Sequence, residues 1–164
     1  MDWFLGTVGF GYKQWNGIFY PKGMKPIQYL RHYAQFFDSV EIDSTFYGTP
    51  AVDKVERWGS AVPERFRFSI KTPQQITHEM RLVNVSEEMG HFVDTMRHLK
   101  GKLGIILVQL PPDFTVKEEE SLISFLKELP TDIRFAIEFR HLSWMQPRIQ
   151  ALLSRYNVTQ VSAD

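Results

Sequence analysis

Four short segments of this sequence alternate charged and apolar side chains. Val40 and Ile42 alternate with Glu41 and Asp43, and Phe66, Phe68 and Ile70 with Arg67, Ser69 and Lys71. Phe135, Ile137 and Phe139 alternate with Arg134, Glu138 and Arg140, and Val161 and Ala163 with Gln160, Ser162 and Asp164. A period of two puts the sets on opposite faces of a strand. Glu41 and Glu138 could then serve as general acid and base, because a half-buried carboxylate can be tuned far from its solution pKa. Lys71 and Arg140 could hold a phosphate or carboxylate, Arg140 in bidentate fashion. These four are the candidate catalytic residues. A Schiff base on Lys71 is disfavoured, since nearby Glu41 and Glu138 would raise its pKa. A metal-assisted variant would gather Glu41, Glu138, Asp164 and one His around Mg²⁺ or Mn²⁺. No compact H-x-x-H motif supports it, so no metal ligand is assigned and the cofactor is left open. There is no G-x-S-x-G elbow for a Ser-His-Asp hydrolase.

The elements that must position these residues alternate along the chain. Strands are expected at Trp3–Val8, Ser39–Asp43, Phe66–Lys71, Leu103–Leu110, Arg134–Phe139 and Thr159–Ala163. Between them fall helices over Pro26–Phe37, Ala51–Ala61, Ser86–His98, Val116–Leu129 and Gln146–Tyr156. The first would face inward with Ile27, Leu30, Ala34 and Phe37, and Ser86 would cap the third. Strand–helix alternation predicts a parallel sheet. The spacing is roughly 31 residues per unit, and eight such units make the ~250 residues of a TIM-type barrel. The sequence therefore reads as one α/β domain over residues 1–164, an incomplete parallel (β/α) barrel with about six of eight units. The rival, an open doubly wound sheet, would carry G-x-G-x-x-G after the first strand; Gly6-Thr7-Val8-Gly9-Phe10-Gly11 has the wrong order of spacings.

In such a barrel the apolar set meets the helices and the polar set faces the interior. Four acids (Glu41, Asp43, Glu138, Asp164) would balance four bases (Arg67, Lys71, Arg134, Arg140), as a buried ionic interior requires. Arg67 and Arg134 begin their strands and read as structural. Glu41, Asp43, Lys71, Gln109, Glu138, Arg140 and Asp164 end theirs, at the face where such barrels place their sites. The loops beyond add Tyr12, Trp15, Thr45, Tyr47, His78, His141 and Trp144. These loop residues, with Asp43, Gln109 and Asp164, are the candidate ligand contacts.

At these residues the chain resembles domain-of-unknown-function family 72, the YecE-like proteins. The matching stretches are Gly6-Thr7-Val8-Gly9 with Tyr12 and Trp15, Phe19-Tyr20-Pro21, Val40 through Tyr47, and Phe68-Ser69-Ile70-Lys71 with Ile76-Thr77-His78. They continue with Gln109-Leu110-Pro111-Pro112 and Glu138-Phe139-Arg140-His141 with Ser143-Trp144. The resemblance implies a TIM-type barrel. Asp43 departs from the Asn more usual in that family, and the family's closing strands and Asn-rich segment have no counterpart here. The family name carries no settled reaction.

Composition narrows the partners. Nineteen basic and nineteen acidic residues cancel, so no global field draws the chain to nucleic acid or an anionic membrane. There is no cysteine, hence no disulfide, thiolate metal site or Cys nucleophile. No signal peptide or membrane span is read, and a cytoplasmic location is expected. The expected partner is a small polar ligand (anionic, phosphorylated or sugar-like), bound or transformed by a barrel of hydrolase, lyase or isomerase type. The alternative is a non-catalytic module for a nucleotide or single-stranded nucleic acid. Unpaired sheet edges would also invite self-association.

Overall fold

Alternation becomes a face only when a strand finds partners, and each strand here pairs with the next in sequence. In the computed structural model, which describes residues 3–162, the strands are β1 (Gly6–Val8), β2 (Ser39–Ile42), β3 (Arg67–Lys71), β4 (Leu103–Gln109), β5 (Phe135–Glu138) and β6 (Val158–Gln160). They form one sheet in the order β1-β2-β3-β4-β5-β6, every pair parallel. A doubly wound sheet reverses its strand order midway; this one steps steadily in one direction, as a (β/α) barrel does. Among the described residues β1 and β6 each have one neighbour and do not pair with each other. The helices are α1 (Tyr29–Tyr33), α2 (Val52–Ala61), α3 (Ser86–Met96), α4 (Glu119–Glu128) and α5 (Pro147–Arg155). No helix among the described residues is long and apolar enough to cross a membrane.

Register sorts the strand residues. Val40 lies beside Phe68, Ile42 beside Ile70, and Ile106 beside Phe135. These and Val108 and Ile137 are at most 2% exposed and pack beneath Val55, Phe92, Leu122, Phe125, Ile149 and Leu153 of the helices. Each such side chain contributes about 1.5–3 kcal/mol when fully buried. On the other face Glu41 lies beside Ser69, Lys71 beside Leu107, and Gln109 beside Glu138. The charged set of β2, β3 and β5 therefore does turn away from the helices. A cavity of about 850 Å³ at the strands' N-terminal end is bordered by Ser39, Arg67, Leu103 and Arg134.

Several expectations are corrected. The first strand begins at Gly6 rather than Trp3, and Trp3, Phe4 and Leu5 are exposed. The first helix is short, because Pro26–Gln28 form a 3-10 turn before α1. That tighter turn rotates Ile27 out to 72% exposure, while Leu30 and Ala34 stay buried. Ser86 is the first residue of α3 rather than its cap; its hydroxyl donates to Glu128 Oε2 of α4 at 2.5 Å. In β6 the expected faces are exchanged. Gln160 pairs with Ile137, on the helix side, and Val161 N–H donates to Ile137 O. Three paired residues against β5 set the register and outweigh the local polarity of this edge strand.

The balanced ionic interior is also corrected. Among the described residues only Glu138 and Arg140 of the eight proposed partners form an ion pair within 4 Å. Arg67 Nη1 instead donates to the carbonyls of Glu64 and Phe66, and Arg134 is exposed. Both open onto the 850 Å³ cavity, where solvent can take the place of a counter-ion. Asp164 and Ala163 lie outside the described residues.

Candidate functional site

The candidate site is built from the C-terminal ends of β2, β3, β4 and β5 on the face turned away from the helices. Glu138 is its centre. It ends β5, its neighbour Ile137 is locked into the core, and alternation forces the carboxylate onto the opposite face. The side chain is 8% exposed. Gln109, its ladder partner on β4, donates from Nε2 to Oε2 at 3.0 Å. Arg140 sets its Nε against Oε1 as an ion pair, yet Oε1 accepts no hydrogen bond. Arg140 is half exposed, so its outer guanidinium nitrogens reach solvent.

Glu41, the penultimate residue of β2, lies within electrostatic reach of that centre. Burial pushes its pKa above the ordinary carboxylate value; Lys71 opposes the rise, and Glu138 and Asp43 add to it. Lys71 ends β3, and its ammonium rests 4.7 Å from the centre of the Phe46 ring. His78 meets the edge of the same ring, 4.9 Å between centroids, and its Nδ1 lies 2.8 Å from Thr77 Oγ1. Burial, and then the nearby Lys71 cation, lower the His78 pKa and favour the neutral imidazole. His78 sits in a single π-turn, Gln75–Glu79, followed by left-handed Arg81, Leu82 and Asn84. Such turns recur at functional sites. Arg81 clamps this loop to the next by donating to Glu118 at 2.7 and 2.8 Å and to Asp113.

Glu41→Gln tests the desolvation of this carboxylate. A carboxyl whose pKa is higher folded than unfolded favours folding only while protonated. Its contribution is complete below the unfolded value of 4.5 and is withdrawn as pH rises from there through the folded value. The amide cannot ionise. The variant is therefore expected to melt above the unsubstituted chain at pH 7 and together with it near pH 4. Equal melting temperatures at both pH values would show that Glu41 is not held in a low-dielectric position.

The other candidates divide. Asp43 follows β2 and is exposed; a Cβ added to left-handed Gly9 would lie 3.7 Å from its Oδ1 and 3.6 Å from the Tyr12 hydroxyl. Tyr12 donates to Val8 O and packs on Trp15, which is half-buried against Phe19. Tyr47 is 82% exposed at the end of the turn Ser44–Tyr47. Thr45 does not face a ligand: it is 1% exposed, with its Oγ1 2.6 Å from Lys71 O and 2.9 Å from Ile42 O. It ties β2 to β3. Trp144 is likewise no ligand contact, being fully buried between Phe114 and Phe139. His141 accepts the Ser143 N–H on Nδ1, opening a turn. Asp164 lies outside the described residues, and among the described ones no three His, Asp or Glu side chains gather as a metal site would need. Sequence reasoning missed Phe46, which seats Lys71, and Arg81, whose partners are 32 and 37 residues away.

A one-way parallel sheet of six strands with helices between them defines an α/β protein built from successive β/α units. The chain matches the model of the family described as "Protein of unknown function DUF72" over residues 4–164, and it belongs to that family. UPF0759 protein YecE of Escherichia coli K12 is 33% identical over 132 residues, covering 80% of this chain and 47% of that protein. UPF0759 protein YunF of Bacillus subtilis 168 is 32% identical over 151 residues, covering 88% and 52%. The chain thus spans about half the length of the curated relatives it matches. A DUF72 family protein from Thermotoga maritima MSB8 superposes with a TM-score of 0.85 at 30% identity, over 98% of this chain and 64% of that one. One from Enterococcus faecalis V583 gives 0.76 at 27%, over 94% and 58%.

Proposed function

We propose that this chain binds a small polar ligand (anionic, phosphorylated or sugar-like) at the C-terminal rim of its strands, and that Glu41 and Glu138 exchange protons with it. The observation that carries this reading is the Glu138 carboxylate. It is buried and charge-paired, and one of its oxygens accepts no hydrogen bond. The Arg140 guanidinium that lies against that oxygen is half exposed, so a ligand arriving from solvent would meet the buried carboxylate through this pair. Glu41 supplies a second carboxylate whose raised pKa brings it closer to neutral pH, where proton transfer is most effective. Lys71 and Arg140 supply donors, and His78 a neutral imidazole. The nucleic-acid alternative has less to stand on, since Trp144 is spent on the core and Trp15 is half-buried in an aromatic cluster.

A thermal-shift screen with sugars, sugar phosphates and small organic acids tests the reading. At least one class is expected to raise the melting temperature, and Glu138→Gln is expected to abolish that rise. A stabilising compound that acts equally on both proteins would place binding elsewhere and defeat the proposal.

A further inference from the structure

A second concave site lies at the other end of the strands from Glu138 and is independent of it. The cavity of about 850 Å³ there has the size of a small-molecule site. Four cations border it, Arg67, Arg97, Lys100 and Arg134, against one carboxylate, Asp132. Asp132 is already engaged, because Arg97 donates to both of its oxygens. Glu64, near Gly101, lies 3.6 Å from Lys102 Nζ. Among the described residues Lys100 and Arg134 have no carboxylate within 4 Å. Arg67 hydrogen-bonds through Nη1 to the carbonyls of Glu64 and Phe66, which leaves Nε and Nη2 for another acceptor. Arg67 opens β3 and Arg134 directly precedes β5, two inter-strand steps apart, roughly 10 Å. Between them β4 carries Gly104, where a Cβ would meet Phe68 O at 3.1 Å and Arg67 Cβ at 3.2 Å. The missing side chain leaves the middle of the cavity floor open. Lys100 reaches the same cavity from the turn before β4 with φ 53° and ψ −134°, a conformation that favours glycine. Partly buried Leu103, Ile105 and Ile133 add an apolar wall.

We propose that this cavity binds a phosphate monoester with an apolar organic part. Arg67, Lys100 and Arg134, unmatched by any lining carboxylate, call for more than a single negative charge. A phosphate monoester carries about −1.5 to −2 at pH 7, more than a carboxylate can bring. Arginine forks match phosphate oxygens in pairs. The apolar wall takes the organic group.

Isothermal titration calorimetry with the intact chain tests this with phenyl phosphate, benzoate and inorganic phosphate. Phenyl phosphate is expected to bind several-fold more tightly than either of the others. Arg134→Gln, at an exposed position, is expected to weaken it by about tenfold, the size of a lost hydrogen bond to a charged group. Lys100→Gly is expected to weaken it several-fold while the melting temperature holds or rises, since glycine adopts a positive φ without strain. Benzoate or inorganic phosphate binding as tightly as phenyl phosphate would overturn the choice of ligand. Tighter binding of oligothymidylate, lost in Arg134→Gln, would overturn it in favour of a nucleic-acid backbone. No binding of phenyl phosphate, or binding indifferent to both variants, would overturn the site itself and leave the reading of the Glu138 rim untouched.

Discussion

Trp144→Ala is expected to lower the unfolding free energy by about 3–5 kcal/mol, the range for emptying a buried Trp site. Trp144 has no exposed surface. It stacks on Phe139 at 4.7 Å and on Phe114 at 5.7 Å, with interplanar angles of 15° and 12°. Its Nε1 donates to Phe114 O at 2.7 Å, so truncation would leave both a cavity and an unpaired buried carbonyl. The stack joins the loop after β4 to the loop after β5 and holds both beneath the rim. In urea the transition midpoint should fall with the slope unchanged. Tyr47→Ala, exposed on the same rim, is expected to stay within about 0.5 kcal/mol of the unsubstituted chain. If the two variants were equally stable, Trp144 would be a surface side chain and the packing described for the β5 loop would be wrong.

Gly6→Ala is expected to cost about 3 kcal/mol, a large effect for one methyl group. A Cβ at Gly6 would lie 2.1 Å from Ser39 O and 2.6 Å from the same carbonyl's carbon. Both are backbone atoms of the neighbouring strand and cannot swing aside. β1 is an edge strand of three residues, so the sheet would relieve the clash by letting it move off. The Thr7 N–H to Tyr33 hydroxyl bond of 2.8 Å and the Gly9 N–H to Glu41 O bond of 2.8 Å would go with it. Amide hydrogen exchange should show protection lost at Thr7 and Gly9 and kept in β3, β4 and β5. Gly11→Ala, with nothing within 4 Å of the added carbon, is the matched control and should be nearly neutral. Retained protection at Thr7 in Gly6→Ala would contradict the close β1–β2 approach.

Most of the fold was legible in the sequence because its signals are local. The alternation in β2, β3 and β5 placed Val40, Ile42, Phe68 and Ile137 under the helices, and the even spacing of strands announced a one-way parallel sheet. Failures fell where a local pattern met a stronger distant partner. In β6 the ladder to β5 put Gln160 on the helix side despite its polarity. At Pro26 a 3-10 turn took Ile27 out of the apolar stripe. Thr45 and Trp144 look like ligand contacts in one dimension, but their partners, Lys71 O and the Phe114 and Phe139 rings, come from other loops.

By itself, the sequence determined which side chains are charged, which residues share a strand face, and that the strands run parallel, since each depends on covalent order and a backbone period of two. Only the tertiary structure decided which charges meet. The Glu138–Gln109 contact, the ammonium of Lys71 on Phe46 and the Arg81 clamp need strands and loops 25 to 37 residues apart to be brought together at a definite register. Register is set by the packing of the opposite, apolar face, and packing energies depend on the whole sheet rather than on any one segment.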